Sequence, residues 1–230
     1  MAFAKLEKRA GTGRPAKKTA RARIAAKEVG SVLSVQGCVA AISGLSFVQE
    51  DELVLVNGRT GVAFSLLPDR VLAVMLDDAP IAAGDKAERT GRIASVPVGS
   101  ALLGRAVDPL GAPIDGGRAI RSATRYNIER PAHGIMERKG VDTPLATGIK
   151  AIDSAIPIGR GQRELILGDR QTGKTSIAVD AIIAQKKTGV ICIYCAIGGR
   201  TDSVAKVRAS LADAGALGHS IIVAAAAESS

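Results

Sequence analysis

Eight residues hold the densest concentration of usable chemistry in the chain: Gly168, Asp169, Arg170, Gln171, Thr172, Gly173, Lys174 and Thr175. They read glycine, four residues, glycine, lysine, threonine, which is the pattern of a phosphate-binding loop. Lys174 is long enough to reach β- and γ-phosphates, and the Thr175 hydroxyl suits Mg²⁺. Gly168 and Gly173 are expected to supply backbone angles that a side chain forbids. A loop of this kind works only between a strand and a helix, where backbone N–H groups and a helix N-terminus face one anion. Glu164 to Leu167 reads as a short buried strand entering the loop. Thr175 to Lys187 reads as the helix leaving it, stopped by Thr188-Gly189.

The elements around the loop follow from the apolar pattern. From Gly161 onward, strand and helix alternate. Strands are expected near Glu164 to Leu167, Val190 to Ile197 and Ser220 to Ala227, and helices over Thr175 to Lys187 and Ser203 to Ala214. Such alternation implies a parallel sheet with helices on its faces. Residues 29–95 have a different texture. Ser31 to Ile42, Leu53 to Val56, Gly61 to Leu67 and Val71 to Leu76 are short Val/Leu/Ile runs separated by turn signals. Asn57-Gly58 is a strong hairpin signal, and strands at this spacing suggest a small barrel. Between the two regions, Val107 to Gly116 is a turn-rich connection, Arg118 to Arg138 is basic and loop-like, and Thr147 to Ile156 is a short helix ended by Pro157.

Charge is distributed unevenly. The net charge is +9, with nine Lys/Arg and two Glu in residues 1–30, so the body is near neutral. The basic leader, residues 1–28, suits nucleic acid, acidic lipid or an acidic protein. Aromatics make up 2% of the chain, with no Trp, which argues against the stacking platforms used for single-stranded nucleic acid. No apolar run approaches the ~20 residues of a membrane span. Cys192-Ile-Tyr-Cys195 has redox or zinc spacing, but it falls in an apolar run that reads as a central strand. Residues three apart on a strand face opposite ways, so buried free thiols are expected there. His133 and His219 have no partners at metal spacing.

Binding and cutting make different demands. Hydrolysis of a γ-phosphate needs a residue that positions water, an acid that orients the metal and usually an arginine finger. The stretch after the second strand, Gly198-Gly199-Arg200, offers no carboxylate, and Asp202 is expected to cap the next helix. No apolar strand ending in Asp follows Thr175; Glu228 follows a strand but is a poor substitute. The residues thus describe a nucleotide holder without the parts that cut.

Four runs carry a resemblance: Gly161 to Lys186, Thr147 to Gln162, Arg89 to Gly116 and Ile128 to Lys139. Over about residues 28–230 they resemble the α subunit of the F-type ATP synthase, with Gln171-Thr172 as the α-type signature inside the loop. The resemblance implies a β plus α/β fold: a small N-terminal six-stranded β-barrel, then a RecA-like P-loop nucleotide-binding domain with a parallel sheet. Domain limits of 1–28, 29–95 and 96–230 follow. It implies ATP or ADP with Mg²⁺ at Gly168 to Thr175, the metal at Thr175, and no catalytic residue in this chain. Its implied partners are β subunits in an alternating hexamer, a central stalk γ, and a peripheral stalk δ met by the N-terminus. Neither nucleic acid nor direct membrane insertion is implied, and the location is a peripheral complex on the cytoplasmic face of a bacterial inner membrane. Three departures stand out. Gly198-Gly199-Arg200 replaces the family's Gly-Gln-Lys, the leader is more basic, and the family chain is longer, so a truncated or accessory version with an unpaired sheet edge is expected. A self-standing P-loop ATPase and a fragment that binds nothing remain the alternatives.

Overall fold

The computed structural model describes residues 28–76 and 80–226. Nearly all of the basic leader, together with Glu228, lies outside those residues. Six strands form a closed barrel: β1 (Val29–Gln36), β2 (Val39–Ser43), β3 (Glu52–Val56), β4 (Arg59–Leu66), β5 (Val71–Met75) and β6 (Lys86–Ile93). Their order is β1-β2-β5-β4-β3-β6, every pairing is antiparallel, and β6 returns to β1. Strands β3 and β5 alternate buried and half-buried positions along their length. Val54, Val56, Val71, Ala73 and Met75 therefore turn inward to meet Val32, Ile42, Leu45 and Ala87. Asn57 and Gly58 both take left-handed angles, φ 48° and 80°, as a two-residue turn matching strand twist demands.

One sequence expectation for the barrel needs correction, and one strand was not legible. The run Ser31 to Ile42 is two strands folded about Gly37-Cys38, and β6 had no apolar signature of its own. Its sequence, Lys-Ala-Glu-Arg-Thr-Gly-Arg-Ile, is mostly polar because only Ala87 turns fully inside. A buried charge anchors it. Glu52, 1% exposed, accepts Arg89 Nε at 2.8 Å, the Gly91 amide at 2.6 Å and the Gln49 amide at 3.1 Å. A buried carboxylate is tolerable only when its oxygens are satisfied in this way.

After the barrel come β7 (Ser95–Val98), β8 (Ala106–Val107), β9 (Thr124–Asn127), β10 (Pro144–Leu145), α1 (Lys150–Ala155) and β11 (Ile158–Gly159). The alternating region follows with α2 (Lys174–Ala184), β12 (Cys192–Gly199), α3 (Thr201–Asp213) and β13 (Ser220–Ala226). The parallel sheet has the order β12-β13-β8, so β12 is an edge strand, not the central one expected. Helices α2 and α3 share one core over this sheet, built on Val179, Val204, Val207, Leu211, Ile222 and Ala224. The fold class expected from the resemblance, a six-stranded barrel and a parallel sheet with helices, is the one observed.

The Glu164 to Leu167 run is the main departure. It forms no strand, and Leu165 and Leu167 are 77% and 80% exposed. An apolar tetrapeptide has strand propensity, but a strand exists only through a ladder. The three-stranded sheet provides no ladder for this run. Helix α3 also starts differently from expectation: Arg200 is the N-cap, and Asp202 sits in the first turn, paired with Arg200 Nε at 3.2 Å. Asp202 still meets the helix N-terminus with a negative charge, a favourable arrangement for the helix dipole.

The turn-rich connection after β8 is held by Asp115. Its carboxylate receives Arg105 Nε at 2.7 Å, Arg105 Nη2 at 2.9 Å, and the Ala106 and Gly117 amides. These donors hold the Asp115 carboxyl well below the usual carboxylate range, Arg105 being the largest cause. A depressed folded-state pKa contributes stability above the unfolded value of about 3.9 and loses it as pH falls toward the folded value. Asp115→Asn is therefore expected to cost about 1–2 kcal/mol at pH 7. It should also flatten the fall in stability below about pH 4, as read by urea unfolding across pH 2–7.

Candidate functional site

The loop residues Gly168 to Thr175 lie together at the start of α2, as their spacing requires. All are exposed except Lys174, which is half-buried. Gly173 is the N-cap of α2 and adopts φ 89°, a left-handed angle that glycine takes without strain. Gly168 has a different reason from the one expected. Its φ is not positive, but a Cβ there would stand 2.9 Å from Thr172 Oγ1. The strained residue is Gln171, at φ 63°, one of three non-glycine residues with positive φ among those described. Nothing in the residue type signals that strain, since Gln is not a residue that turn chemistry favours at such an angle.

Lys174 folds back over the loop. Its Nζ donates to the Gly168 carbonyl at 2.6 Å, to the Asp169 carbonyl, and at 3.4 Å to Thr172 Oγ1. Thr172 Oγ1 in turn donates to the Asp169 carbonyl at 2.9 Å. The ammonium thus sits centrally, with loop backbone as its partner. The arrangement has the chemistry to exchange carbonyl oxygens for anionic oxygens at the same point. Thr175 is exposed in the first turn of α2 and presents one hydroxyl oxygen. Among the described residues no group of three or more His, Cys, Asp or Glu is gathered for a metal. A single hydroxyl oxygen makes no metal cage by itself.

The other candidates separate. Cys192 and Cys195 point to opposite sides of β12, as predicted, so they share no metal and form no disulfide. They are not buried, however: Cys192 is half-buried, and Cys195 and Cys38 are exposed. Cys195 lies with Ile193 and Ile197 on the face of β12 that α2 and α3 do not cover. Burial pushes the Cys192 thiol up. His133 pairs with Glu137 at 3.2 Å, and His219 Nε2 lies 3.1 Å from the Ile182 carbonyl on α2. Gly198 and Gly199 leave open space at the end of β12: a Cβ at either position would meet nothing within 4 Å.

A profile of the ATP synthase alpha/beta family, nucleotide-binding domain, matches residues 148–230. The matched segment includes the whole Gly168–Thr175 loop, α2, β12, α3 and β13. Over a longer stretch the chain is similar to curated α subunits. It is 52% identical over 210 residues to ATP synthase subunit alpha 1 of Chlorobium luteolum, covering 90% of this chain and 41% of that one. It is 53% identical over 200 residues to ATP synthase subunit alpha of Thiobacillus denitrificans, covering 86% and 39%. With ATP synthase subunit alpha 1 of a Marinomonas species the identity is 49% over 199 residues, covering 86% and 39%. The chain spans about two fifths of the length of these curated relatives.

Two measurements check the local geometry. Gln171→Gly should be neutral or stabilising by up to about 1 kcal/mol, because it relieves a left-handed angle; Gln171→Val should cost about 1–3 kcal/mol. Thermal melting of the two variants decides this. Under native conditions Cys38 and Cys195 should alkylate before Cys192, as followed by mass spectrometry with iodoacetamide.

Proposed function

We propose that this chain is a nucleotide-binding, non-catalytic part of an α-type subunit in the F1 sector of a rotary, proton-translocating ATP synthase. It would hold ATP or ADP with Mg²⁺ on Gly168 to Thr175. Lys174 meets the phosphates, and Thr175 supplies one oxygen to the metal. The observation that carries the reading is the Lys174 ammonium centred over a glycine loop at a helix start, inside the segment that matches the family's nucleotide-binding domain. Bound Mg²⁺ would screen phosphate charge; the chain's own contribution is to seat the phosphates and orient them.

Support for the non-catalytic reading comes from the β12–α3 connection. It presents Gly198, Gly199 and Arg200 and no carboxylate to position water. The domain limits we propose are 1–28 for the basic leader, 29–95 for the barrel domain and 96–230 for the nucleotide-binding part. The partners in this reading are β subunits alternating with α in a hexamer, the central stalk γ, and the peripheral stalk δ, reached by the basic leader. The complex would lie on the cytoplasmic face of a bacterial inner membrane. No helix among the described residues is long and apolar enough to cross a membrane.

Calorimetric titration tests the reading. Mg-ATP should bind the purified chain at millimolar concentration or tighter, and Lys174→Ala should weaken it at least tenfold, the scale of one lost charge-assisted bond. No steady ATP turnover should appear. Turnover abolished by Lys174→Ala would instead favour a self-standing ATPase. Absence of Mg-ATP binding in the wild-type chain would favour a fragment without nucleotide function.

A further inference from the structure

The phosphate loop is normally held in place by the strand that leads into it. Here that run, Glu164 to Leu167, has no ladder. Something else must fix the two ends of the loop relative to each other. The outgoing end is α2, a rigid rod about 16 Å long from Lys174 to Gln185. The incoming end leaves β11, which pairs with β10 through Pro144↔Gly159 and Leu145↔Ile158. The Arg160 amide extends that pairing to the Thr143 carbonyl at 2.8 Å. Gln162 continues the tie: its Oε1 accepts the Gly159 amide at 2.8 Å, and its Nε2 donates to Glu164.

The two ends meet at Gln185. This residue is 4% exposed, an unusual burial for a carboxamide, and all of its polar atoms are used. Nε2 donates to the Ala146 carbonyl at 2.7 Å and to the Ala181 carbonyl at 3.2 Å. Oε1 accepts the Thr188 hydroxyl at 3.2 Å. Ala146 directly follows β10. The next residue, Thr147, is itself buried, and its amide and hydroxyl donate to Asp153 on α1 at 2.9 and 2.7 Å. Gly148 keeps the turn close to α2: a Cβ there would sit 3.1 Å from the Ala184 Cβ. A closed circuit results, from Lys174 along α2 to Gln185, across to Ala146, through the β10–β11 pair and Gln162 to Glu164, and along the unpaired chain to Gly168. The Lys174–Gly168 bond closes it.

The geometry points to Gln185 as a positioning residue for the Gly168–Thr175 loop, acting from the far end of α2 through the Ala146 carbonyl. It touches no phosphate. It sets where the helix start, and so Lys174, stands relative to Gly168. Losing its bond frees α2 to shift against the β10–β11 unit and loosens the loop while the α2–α3 core stays packed. The nucleotide-affinity arm of the test rests on the function proposed above; the exchange arm does not.

Backbone hydrogen exchange on the purified 230-residue chain is the primary test, since it resolves local from global opening. Gln185→Met keeps length and volume but removes the donor. Exchange at the Ile177 amide, which is bonded to the Gly173 carbonyl of the loop at 3.2 Å, should rise at least tenfold, while the α3 amides from Val204 to Leu211 stay unchanged. The affinity for Mg-ATP should fall about tenfold in parallel. If exchange at Ile177 is unchanged, or rises equally in α3, Gln185 is only a core residue and the inference fails. If the exchange pattern appears but wild type binds no Mg-ATP, the positioning role stands and the nucleotide reading falls. Should Gln185→Met not fold, Thr188→Val, which removes the hydroxyl shared between Gln185 Oε1 and the Gln185 carbonyl and bonded by the Val190 amide, carries the test. A few-fold rise at the Ile177 amide is then expected, and a flat response there overturns the inference.

Discussion

Backbone amides and carbonyls taken from water must find partners, and this requirement organises both halves of the molecule in opposite ways. In the barrel it is met by closure: β6 pairs with both β1 and β3, so no strand edge is left over. In the second half it is met only in part. Among the described residues the sheet β12-β13-β8 has open edges, and the run before the Gly168–Thr175 loop has no strand beside it. Side-chain bonds then take on work that a ladder does elsewhere. Asp115 fastens the connection after β8, Asp153 fastens the turn after β10, and Gln185 joins that turn to α2.

The same contrast accounts for exposure. The barrel encloses its Val, Ile and Ala positions on all sides, and even a carboxylate, Glu52, is accommodated because Arg89 and two amides surround it. Among the described residues the parallel sheet has helices on one face only. The residues of β12 on the other face, Ile193 and Ile197, are 64% and 83% exposed. Parallel sheets ordinarily bury both faces, which is why near-continuous apolar strands such as this one arise. The apolar character of β12 and of Leu165 to Leu167 is therefore matched to a more complete layer than residues 28–226 supply.

The candidate site reflects this balance. Its parts are local: a glycine that permits close approach, a glycine in a left-handed cap, a lysine that bends over the loop, and a threonine one residue into the helix. Local parts survive when long-range support is thin, provided that the two chain segments bearing them are held at the right separation. The contacts among Gln185, Ala146, Gln162 and Lys174 provide that separation here. Their spread from the turn after β10 to the end of α2 explains how a loop on an exposed segment keeps the geometry its sequence implies.

What could be read from the sequence was whatever depends on neighbours in the chain. The Asn57-Gly58 turn, the alternation of β3 and β5, the glycine–lysine–threonine spacing and the approximate extents of α2, α3 and β13 all follow from local sterics and periodicity. What only the tertiary structure decided was whatever depends on which segment lies alongside. That includes the polar strand β6, which owes its place to β1 and β3, and the uncovered face of β12 that exposes Cys195. It includes the burial of Gln185 and the failure of Glu164 to Leu167 to become a strand. A local pattern states which face of a segment is apolar; it does not name the partner that will cover it. Pairing and burial are settled by segments distant in sequence, and they appear only once the chain has folded.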